Sequence, residues 1–504
     1  MDVNNQRKRA APPQRIERQW AQLFALNIEN GTTLQMQVRQ GFVAAILDRR
    51  LPAGAKLPSS RLLARQLDIA RNTVNAAYRQ LADEGFIRAR PRSGYVVRAA
   101  IVDRASAATP HRPAPGLADG PRWPARIGSR FSSLRNISKP SDWYRYPYQF
   151  IYGQPDPALF PTADWRECSR AALAVLAIRD WSSDMIDGDD AALIEQIQLH
   201  VLPQRGIYVT PDQIMITVGT QHALYLLAEL LVSARSVVGV EEPGYPDARN
   251  IFAVRGAALR PLPVGPEGID SADLAGCDLA FVTPSHQCPT ASTMSWARRR
   301  EVMAYADRHD LILIEDDYES ELTFAGALRP ALKSLDTAGR VVYVSSFSKT
   351  LAPGLRLGYM VGAPALIAEA RVLRRLMLRH PPANNQRAAA LFIALGHNSA
   401  QLRRIKTHLA DRAGALVDAL VHHAPMLTFK KPHGGSSIWI KGPAGLDAAS
   451  LAKAAEQRGV LIEPGDVFFQ QPNAPCPFFR LGYSSISTDK ISAGVQRLAT
   501  LLDP

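Results

Sequence analysis

The chain has 504 residues, of which 46% are hydrophobic and 21% are charged, a balance typical of globular proteins but too long for one ordinary domain. Its net charge of +13 is unevenly distributed: residues 1–145 hold 25 Lys/Arg against 10 Asp/Glu, which leaves 34 against 36 for the remainder. A polyanion such as nucleic acid is therefore an expected partner of the N-terminal part, although a merely solubilising basic head would carry the same charge.

The cysteines and the apolar runs of the sequence exclude several classes of protein. The four cysteines are scattered and form no CxxC pair, so the sequence predicts neither a metal site nor a disulfide framework, and a reducing cytoplasm fits. The N-terminus, MDVNNQRKRA, is not followed by the apolar region of a signal peptide. The longest apolar run, ALYLLAELLVSA, is broken by Glu229 and is too short to span a bilayer. We therefore expect a cytoplasmic protein without a membrane segment.

Composition divides the chain into zones. Residues 1–30 are a predicted N-terminal extension, and residues 31–98 form a compact helical pattern that ends in short strands. Residues 99–145 are rich in Pro, Ala, Gly and Arg without periodicity, which predicts a linker. Part of this linker could dock on a neighbouring domain. Residues 146–504 form a large domain whose last part, from roughly 395 to 504, is a separate subdomain.

The basic N-terminal domain contains the stretch GAKLPSSRLLARQLDIARNTVNAAYRQLADEGFIRARPRSGYVV, which predicts two helices followed by a hairpin. Pro58 and Ser59 open the first helix, and the second begins near Asn72 and stops at Gly85. FIRARPRSGYVV predicts two strands that form a basic wing. The start of the second helix presents polar side chains able to bind bases or phosphates, whereas an ordinary helical pair with solvated arginines is the alternative.

This stretch resembles the winged helix-turn-helix head of the GntR family, whose pattern LPSxRxLAxxLxxxRxTVxxAYxxLxxEGxIxxRxxSGxxV it matches almost throughout. The resemblance implies operator DNA as a partner, without specifying the operator sequence. The residues that it identifies as DNA contacts are Arg61, Arg71, Asn72, Thr73, Asn75, Arg92 and Gly94.

The large domain alternates short β-branched runs with helical stretches. The runs IMITV, VVGV, LAFVT, LILIEDD and VVYVSS predict an α/β fold with a mainly parallel sheet covered on both faces. The last hundred or so residues break this rhythm: helices are predicted near residues 401–424 and 448–458, and strands in SSIWIK and FFRLGY. They indicate an α+β subdomain.

One lysine, Lys349, lies in SSFSKTLAPGLRLGY, directly after the predicted strand VVYVSS. A lysine at a strand end among small residues suits Schiff-base formation with an aldehyde. Pyridoxal 5'-phosphate is the aldehyde cofactor that uses lysine in this way. It needs a carboxylate at its ring nitrogen, a phosphate cup and a ring to stack on.

Candidates for these supports lie at other strand ends. Asp316 or Asp317, at the end of the preceding strand, would hold the ring nitrogen; Tyr318 would bond the phenolic oxygen, and Tyr245 would stack on the ring. Backbone N–H groups at a helix start and side-chain donors would bind the phosphate; these residues are Gly219, Thr220, Gln221, Ser346, Ser348 and Arg356. Each feature alone is also explained by turn or cap structure, but their joint order favours a cofactor site.

The order of these motifs resembles the fold-type I aminotransferases, and specifically the MocR subgroup of GntR regulators, over about residues 35–501. The motifs are YGQPDPALFP, VGTQHAL, EEPGYPDARNIF, VTPSHQCPT, IEDDYESE, SSFSKTLAPGLRLGY and FFRLGYSS. The resemblance implies an aspartate aminotransferase-like domain in which Lys349 forms the Schiff base and Asp316 pairs with the ring nitrogen. It further implies that Arg480 holds the carboxylate of a substrate or effector.

The chain departs from the family pattern near the expected cavity. An acidic residue, Asp247, follows Tyr245 by two positions. Residues that replace the usual arginine, aromatic residue and glycine of the family are Ile194, Cys288 and Ala291. These changes leave the expected cofactor contacts intact and alter the expected effector pocket.

Two functions follow from these patterns, and the retained Lys349 argues against a third, a degenerate domain that no longer binds cofactor and serves only for dimerisation. The first is a DNA-binding transcriptional regulator that senses pyridoxal phosphate, or an amino compound that forms an aldimine with it. The second is a genuine aminotransferase with a fused DNA-binding head. A basic head would be of little use to a metabolic enzyme, which favours the regulator with at most weak aminotransferase activity. Because fold-type I relatives are dimers, we expect a homodimer.

Overall fold

The computed structural model describes most of the chain: residue 20 and residues 32–90, 94–98, 123–128, 131–184, 188–326, 329–471 and 475–502. The chain packs into two units, Met1–Ser129 and Arg130–Pro504. The predicted limits of the extension, the linker and the small subdomain stay predictions.

The first unit contains the two predicted helices, a helix that precedes them and the predicted hairpin. These elements are α1 (Leu34–Leu47), α2 (Ser60–Leu67), α3 (Arg71–Asp83), β1 (Ile87–Arg90) and β2 (Gly94–Val97). The two strands pair antiparallel, with Ile87 opposite Val97. A short helix, α4 (Trp123–Arg126), follows along the chain.

Local signals set the limits of these helices. Ser59 is the N-cap of α2, and its Oγ accepts a hydrogen bond from the Leu62 N–H at 3.2 Å, as the sequence predicts. Helix α3 begins at Arg71, one residue before the predicted start. Gly85 follows its end at φ +80°, a left-handed conformation that glycine adopts at low steric cost. The apolar stripe of α3 is buried, and its residues are Val74, Ala77, Tyr78 and Leu81.

The second unit is built on an eight-stranded sheet with the order β4-β11-β10-β9-β8-β5-β6-β7. The strands are β4 (Ile214–Thr217), β5 (Val237–Glu242), β6 (Ala258–Gly265), β7 (Gly268–Ile269), β8 (Leu279–Val282), β9 (Ile312–Asp316), β10 (Val341–Ser346) and β11 (Gly358–Val361). The pairs β6-β5, β5-β8, β8-β9 and β9-β10 are parallel, whereas β11 runs antiparallel to both β10 and β4. The predicted mainly parallel sheet is therefore confirmed.

Helices cover this sheet, and every residue of β4, β8, β10 and β11 is buried, as strands covered on both faces require. The helices of this part are α5 (Thr162–Ala172), α6 (Val175–Trp181), α7 (Ala191–Gln196), α8 (Thr220–Leu231), α9 (Pro246–Val254), α10 (Trp296–His309), α11 (Pro364–Leu378) and α12 (Ala383–Ala394). Strand β11 was not predicted, because its four residues directly follow an irregular loop and give too short a pattern.

The C-terminal part has the predicted α+β character. Its elements are α13 (His397–His423), β12 (Thr428–Phe429), β13 (Ser437–Lys441), α14 (Ala448–Gln457), β14 (Val460–Leu461), β15 (Glu463–Pro464), β16 (Phe478–Gly482) and α15 (Thr488–Ala499). Four of the strands form a sheet in the order β12-β13-β16-β15. Strand β14 pairs in parallel with β3 (Tyr148–Gln149).

A buried ion pair fixes the end of β4, from which the chain continues into α8. Arg374 of α11 is fully buried, and its Nη1 lies 2.6 Å from Asp189 Oδ1 and 2.6 Å from the Ile216 carbonyl oxygen. The Ile216 N–H donates to the other carboxylate oxygen of Asp189 at 3.2 Å. Because both charges are buried, removal of one leaves the other poorly compensated.

We expect Arg374→Ala to lower the free energy of unfolding by about 3–5 kcal/mol, since it leaves the buried Asp189 carboxylate without its main cation. Urea denaturation followed by tryptophan fluorescence measures this loss. The control is Glu369→Ala, which removes an exposed carboxylate of the same helix and should cost less than about 0.5 kcal/mol. Equal effects of the two substitutions would contradict the stabilising role assigned to the Arg374–Asp189 ion pair.

Candidate functional site

A cavity of about 220 Å³ in the second unit lies where several strands of the large sheet end. Ten of the eleven residues predicted for the cofactor and effector site line it: Thr220, Gln221, Tyr245, Asp316, Tyr318, Ser346, Ser348, Lys349, Arg356 and Arg480. The eleventh, Gly219, is the N-cap of the helix that begins with Thr220. The fold thus brings together residues that are far apart in the sequence.

Lys349 lies in the turn after β10, and its amine lies over the face of Tyr152, 3.8 Å from the ring centroid. Gly153 leaves room for this amine, because a Cβ at that position would lie 2.9 Å from Nζ. Burial lowers the pKa of Lys349 to about 8, and the carboxylate of Glu319 opposes that shift. More of the amine is therefore neutral at neutral pH than in water, as a nucleophile requires.

The two aspartates that end β9 have different surroundings. Asp317 accepts bonds from Arg205 Nε and the Tyr343 hydroxyl, both at 2.7 Å. Burial opposes its ionisation, but Arg205 and Tyr343 outweigh burial and lower the pKa of Asp317. Asp316 lines the cavity, and burial, followed by the charge of Asp317, raises its pKa well above the usual range. Its buried Oδ1 accepts no hydrogen bond within the described part of the chain.

The start of α8 and Arg356 form a positive corner of the cavity. Gly219 caps this twelve-residue helix without a side-chain bond, so the N–H groups of the first turn are available to an anion. The Arg356 guanidinium lies against it: a Cβ at Gly219 would lie 3.2 Å from Arg356 Nη2. A Cβ at Gly358 would lie 2.8 Å from the Gly219 Cα. Strand β11 can therefore approach the start of α8 this closely only because residue 358 is glycine.

The side chain of Asp247 organises the neighbouring wall. Its Oδ2 accepts bonds from the Tyr245 hydroxyl at 2.9 Å and from Gln221 Nε2 at 2.5 Å. Tyr245 and Gln221 are thus held by one carboxylate. The acidic residue that departs from the family pattern therefore holds two cavity-lining side chains in place, although it does not line the cavity itself.

Arg480, on β16, occupies the opposite side of the cavity. Its Nε donates to Glu463 Oε2 at 2.8 Å, and its guanidinium carbon lies 3.9 Å from the Tyr152 ring centroid and 4.7 Å from that of Phe468. The Arg480 Nη2 atom is buried and has no partner among the described residues. The Cys288 thiol lies 3.9 Å from Nη1. One edge of the guanidinium is thus free for an acidic group.

Several cavity residues were not predicted. They are Ile137, Tyr152, Gly153, Thr283 and Pro353, whereas Cys288, which also lines the cavity, was expected to alter the effector pocket. Tyr152 and Gly153 belong to the quoted motif YGQPDPALFP, which is a signal that could have identified them. Ile137 carried no such signal, because it falls in the stretch predicted as a linker.

Ala291, where the family pattern has glycine, adopts a left-handed conformation with φ +58°. This left-handed conformation costs a residue with a Cβ roughly 1–2 kcal/mol. The conformation that favours glycine is thus retained although glycine is absent. Ile194, which replaces the usual arginine of the family, is buried in α7.

The first unit presents the candidate nucleic-acid interface. Arg61 on α2 and Arg71 and Asn72 at the start of α3 are exposed, whereas Thr73 and Asn75 are partly exposed. The N-cap, Ala70, offers no side-chain cap, so N–H groups at this helix start are also available to phosphates.

Two further predicted DNA contacts lie in the wing. Gly94 is exposed at the start of β2 with φ +86°, a conformation that favours glycine. Arg92 lies outside the described residues.

Family models match both units. The model for bacterial regulatory proteins of the gntR family matches residues 34–97, and the model for aminotransferases of class I and II matches residues 180–498. Within the described ranges, no helix is long and apolar enough to cross a membrane.

Whole-chain relatives combine the same two parts. The HTH-type transcriptional regulator TauR of Rhodobacter capsulatus is 41% identical over 93% of this chain and 96% of its own length. The probable rhizopine catabolism regulatory protein MocR of Rhizobium meliloti is 30% identical over 94% and 95%. Among solved structures, the kynurenine aminotransferase of Pyrococcus horikoshii superposes with a TM-score of 0.68 at 26% identity, covering 77% of this chain and 98% of that enzyme.

The lowered pKa of Lys349, about 8, predicts the pH dependence of its reactivity. The amine is protonated and unreactive below that value and neutral above it, so labelling by formaldehyde and cyanoborohydride should reach half its maximal rate near pH 8. Peptide mass spectrometry measures the labelling. Glu319→Gln should move this midpoint downwards, because it removes the carboxylate that favours the charged amine.

The control for that shift is Glu301→Gln, which neutralises an exposed carboxylate on α10. A midpoint that moves equally in both variants, or that lies near the roughly 10.4 of a lysine in water, would contradict the assigned surroundings of Lys349.

Proposed function

The chain belongs to the MocR subgroup of the GntR family of transcriptional regulators, and we propose that it is a DNA-binding regulator whose second unit binds pyridoxal 5'-phosphate at Lys349. The effector is the cofactor itself or an amino compound that reacts with it. One observation carries this proposal: the cavity brings Lys349, Asp316 and Arg356 together, although they come from different loops and strand ends.

The residues of the cavity fit this cofactor. The buried Asp316 Oδ1 lacks a hydrogen-bond donor, which the protonated ring nitrogen would supply. The start of α8 and Arg356 provide backbone donors, a helix dipole and a guanidinium for the phosphate. Gln221, Ser346 and Ser348 line the same cavity and offer further donors.

Each side chain has a distinct role in this proposal. When bound, the cofactor supplies a carbonyl that captures amines and a ring that withdraws electrons. Lys349 presents a partly neutral amine to that carbonyl, and Tyr318 donates to the phenolic oxygen. Tyr245, oriented by Asp247, would provide the face on which the ring stacks. Arg480 offers its free edge to the acid group of an amino compound.

Regulation requires that ligand binding favours one arrangement of the DNA-binding units over another. A ligand shifts such an equilibrium only by its differential affinity for the two states. We propose that the protein acts as a homodimer in the cytoplasm, where chromosomal DNA lies. Exposed apolar side chains on the second unit, Leu176 (73% exposed) and Leu376 (80%), support an association surface.

An aminotransferase with a fused DNA-binding head is the second candidate. It is favoured by the presence, in one cavity, of the amine, the carboxylate and the arginine that proton transfer on an amino acid would require. Turnover of an amino acid and an oxo acid by the purified protein, lost in Lys349→Ala, would support this candidate. The same turnover without any ligand effect on DNA binding would favour it over the regulator.

The proposed function is tested by adding pyridoxal phosphate to the wild type and to Lys349→Ala. We expect the wild type to acquire the visible absorption band of a lysine-bound cofactor, and Lys349→Ala to lack it because no other described lysine lines the cavity. Titration with amines and amino acids, followed by the band and by DNA-binding anisotropy, then identifies the effector class.

Lys453→Ala is the matched control, since it removes an exposed lysine on α14 and should bind the cofactor like the wild type. A wild type without the band in excess cofactor would contradict the proposal. The second unit would then be a body for dimerisation alone.

The DNA-binding part of the proposal predicts that Arg71→Ala weakens binding to an operator selected from random duplexes by the wild type. The expected loss is about 1–3 kcal/mol for a base contact, or a reduction of the salt slope by about 1 for a phosphate contact. Fluorescence anisotropy at several salt concentrations distinguishes the two.

Arg50→Ala is the control, because it removes an equal charge from an exposed site outside α2, α3 and the wing. If Arg50→Ala weakens binding as much as Arg71→Ala does, the contribution of Arg71 is that of general charge and not of a contact.

A further inference from the structure

The stretch 131–139, here called the connector segment, directly follows the division between the two units and packs on the second unit. Apart from the short turn of helix Phe131–Ser133, it has no regular secondary structure. Polar contacts hold it on two sides of the cavity, and one apolar side chain, Ile137, lies in the cavity wall. A stretch predicted as a linker is therefore part of the ligand site.

One set of contacts ties the segment to the turn beside Arg480. The Arg135 guanidinium donates to the carbonyl oxygens of Asp466 and Phe469, at 2.5 and 3.2 Å, and pairs with Asp466 Oδ2 at 2.9 Å. Between these two residues lies Phe468, whose ring lies under the Arg480 guanidinium. The segment is thus anchored to the part of the fold that would hold the acid group of an effector.

A second set of contacts ties it to the wall beside the stacking ring. Asn250 Nδ2 donates to the Arg135 carbonyl oxygen at 3.0 Å. Asn250 Nδ2 also donates to Asn136 Oδ1 at 2.7 Å, and the Asn136 amide lies 2.9 Å from Asp247 Oδ1, to which it donates when turned so that its nitrogen faces the carboxylate. Asp247 in turn holds Tyr245 and Gln221. The segment is therefore connected through Asp247 to both of these cavity-lining side chains.

The cavity is small, and its walls differ in how firmly the fold holds them. Its volume of about 220 Å³ lies below the roughly 300–1,000 Å³ of most small-molecule pockets, so a cofactor leaves little room for an amino compound beside it. The walls at Asp316 and Ser346 belong to buried strands of the main sheet. The Arg135–Asp466 pair, by contrast, is more than one-third exposed at both ends, and such pairs are weakly held.

We propose that the connector segment is the wall through which the effector is sensed, with Ile137 as a specificity-determining contact and Arg135 and Asn136 as positioning residues. This inference rests on the proposed function. An amino compound that extends from Tyr245 to Arg480 displaces Ile137, and the segment shifts. Because the chain leads from this segment into the DNA-binding unit, occupancy of the cavity and DNA affinity are linked.

The test compares two probes on the full-length dimer: pyridoxal phosphate alone, and N-(5'-phosphopyridoxyl)-L-leucine, which joins the cofactor to an amino acid. We expect backbone amides of residues 131–139 to exchange faster with deuterium in the presence of the leucine adduct than with pyridoxal phosphate. Ile137→Ala should change the ratio of affinities for the two probes by about tenfold, since a side-chain contact to only one of them is removed.

Arg135→Ala should speed exchange of the segment without any ligand and reduce the effect of the adduct on DNA affinity. The matched control is Arg145→Ala, an exposed arginine further along the chain that does not line the cavity, which should behave like the wild type. Equal exchange with both probes, together with an unchanged affinity ratio in Ile137→Ala, would overturn the inference. Failure of the wild type to bind pyridoxal phosphate would instead overturn the proposed function, and the inference with it.

Discussion

The ion pair between Arg205 and Asp317 is the interaction on which the cavity depends. Two adjacent carboxylates end β9 in the interior, and an unpaired buried charge costs several kcal/mol. Arg205 and Tyr343 bind Asp317, so only Asp316 is left to the cavity. The unmet Oδ1 of Asp316 can then receive a donor from a ligand. The fold itself thus leaves one carboxylate oxygen of the cavity unsatisfied, and a protonated ring nitrogen would complement it.

Much of this arrangement was predictable, because parallel strands collect their carboxyl ends at one edge and each end carried a polar signal. The strands that place Gly219, Asp316 and Lys349 were all recognised. The family resemblance favoured Asp316 over Asp317, but the physical reason for that choice is the position of Arg205, more than a hundred residues earlier in the chain. Ile137 and β11 were missed for a related reason: their structure is set by tertiary contacts, and their local sequence resembles loop.

The two units also divide the chemistry of recognition. The first carries the positive excess and exposes arginines on a small helical core, as binding to a phosphate backbone requires. The second buries ion pairs such as Arg205–Asp317 and, among the described residues of its cavity, leaves one atom each of Asp316 and Arg480 without a partner. Long-range attraction thus serves DNA, whereas a few desolvated groups select a small molecule by geometry.

The pairing of Arg480 with Glu463 has a consequence for the range of concentrations to which the protein responds. An incoming acid group shares the positive charge with a resident carboxylate, so it gains less than it would from an unpaired arginine. Half-saturation then requires a higher concentration of ligand, and dissociation is correspondingly fast. A sensor built in this way would respond to high concentrations of an acid-bearing ligand rather than to traces of it.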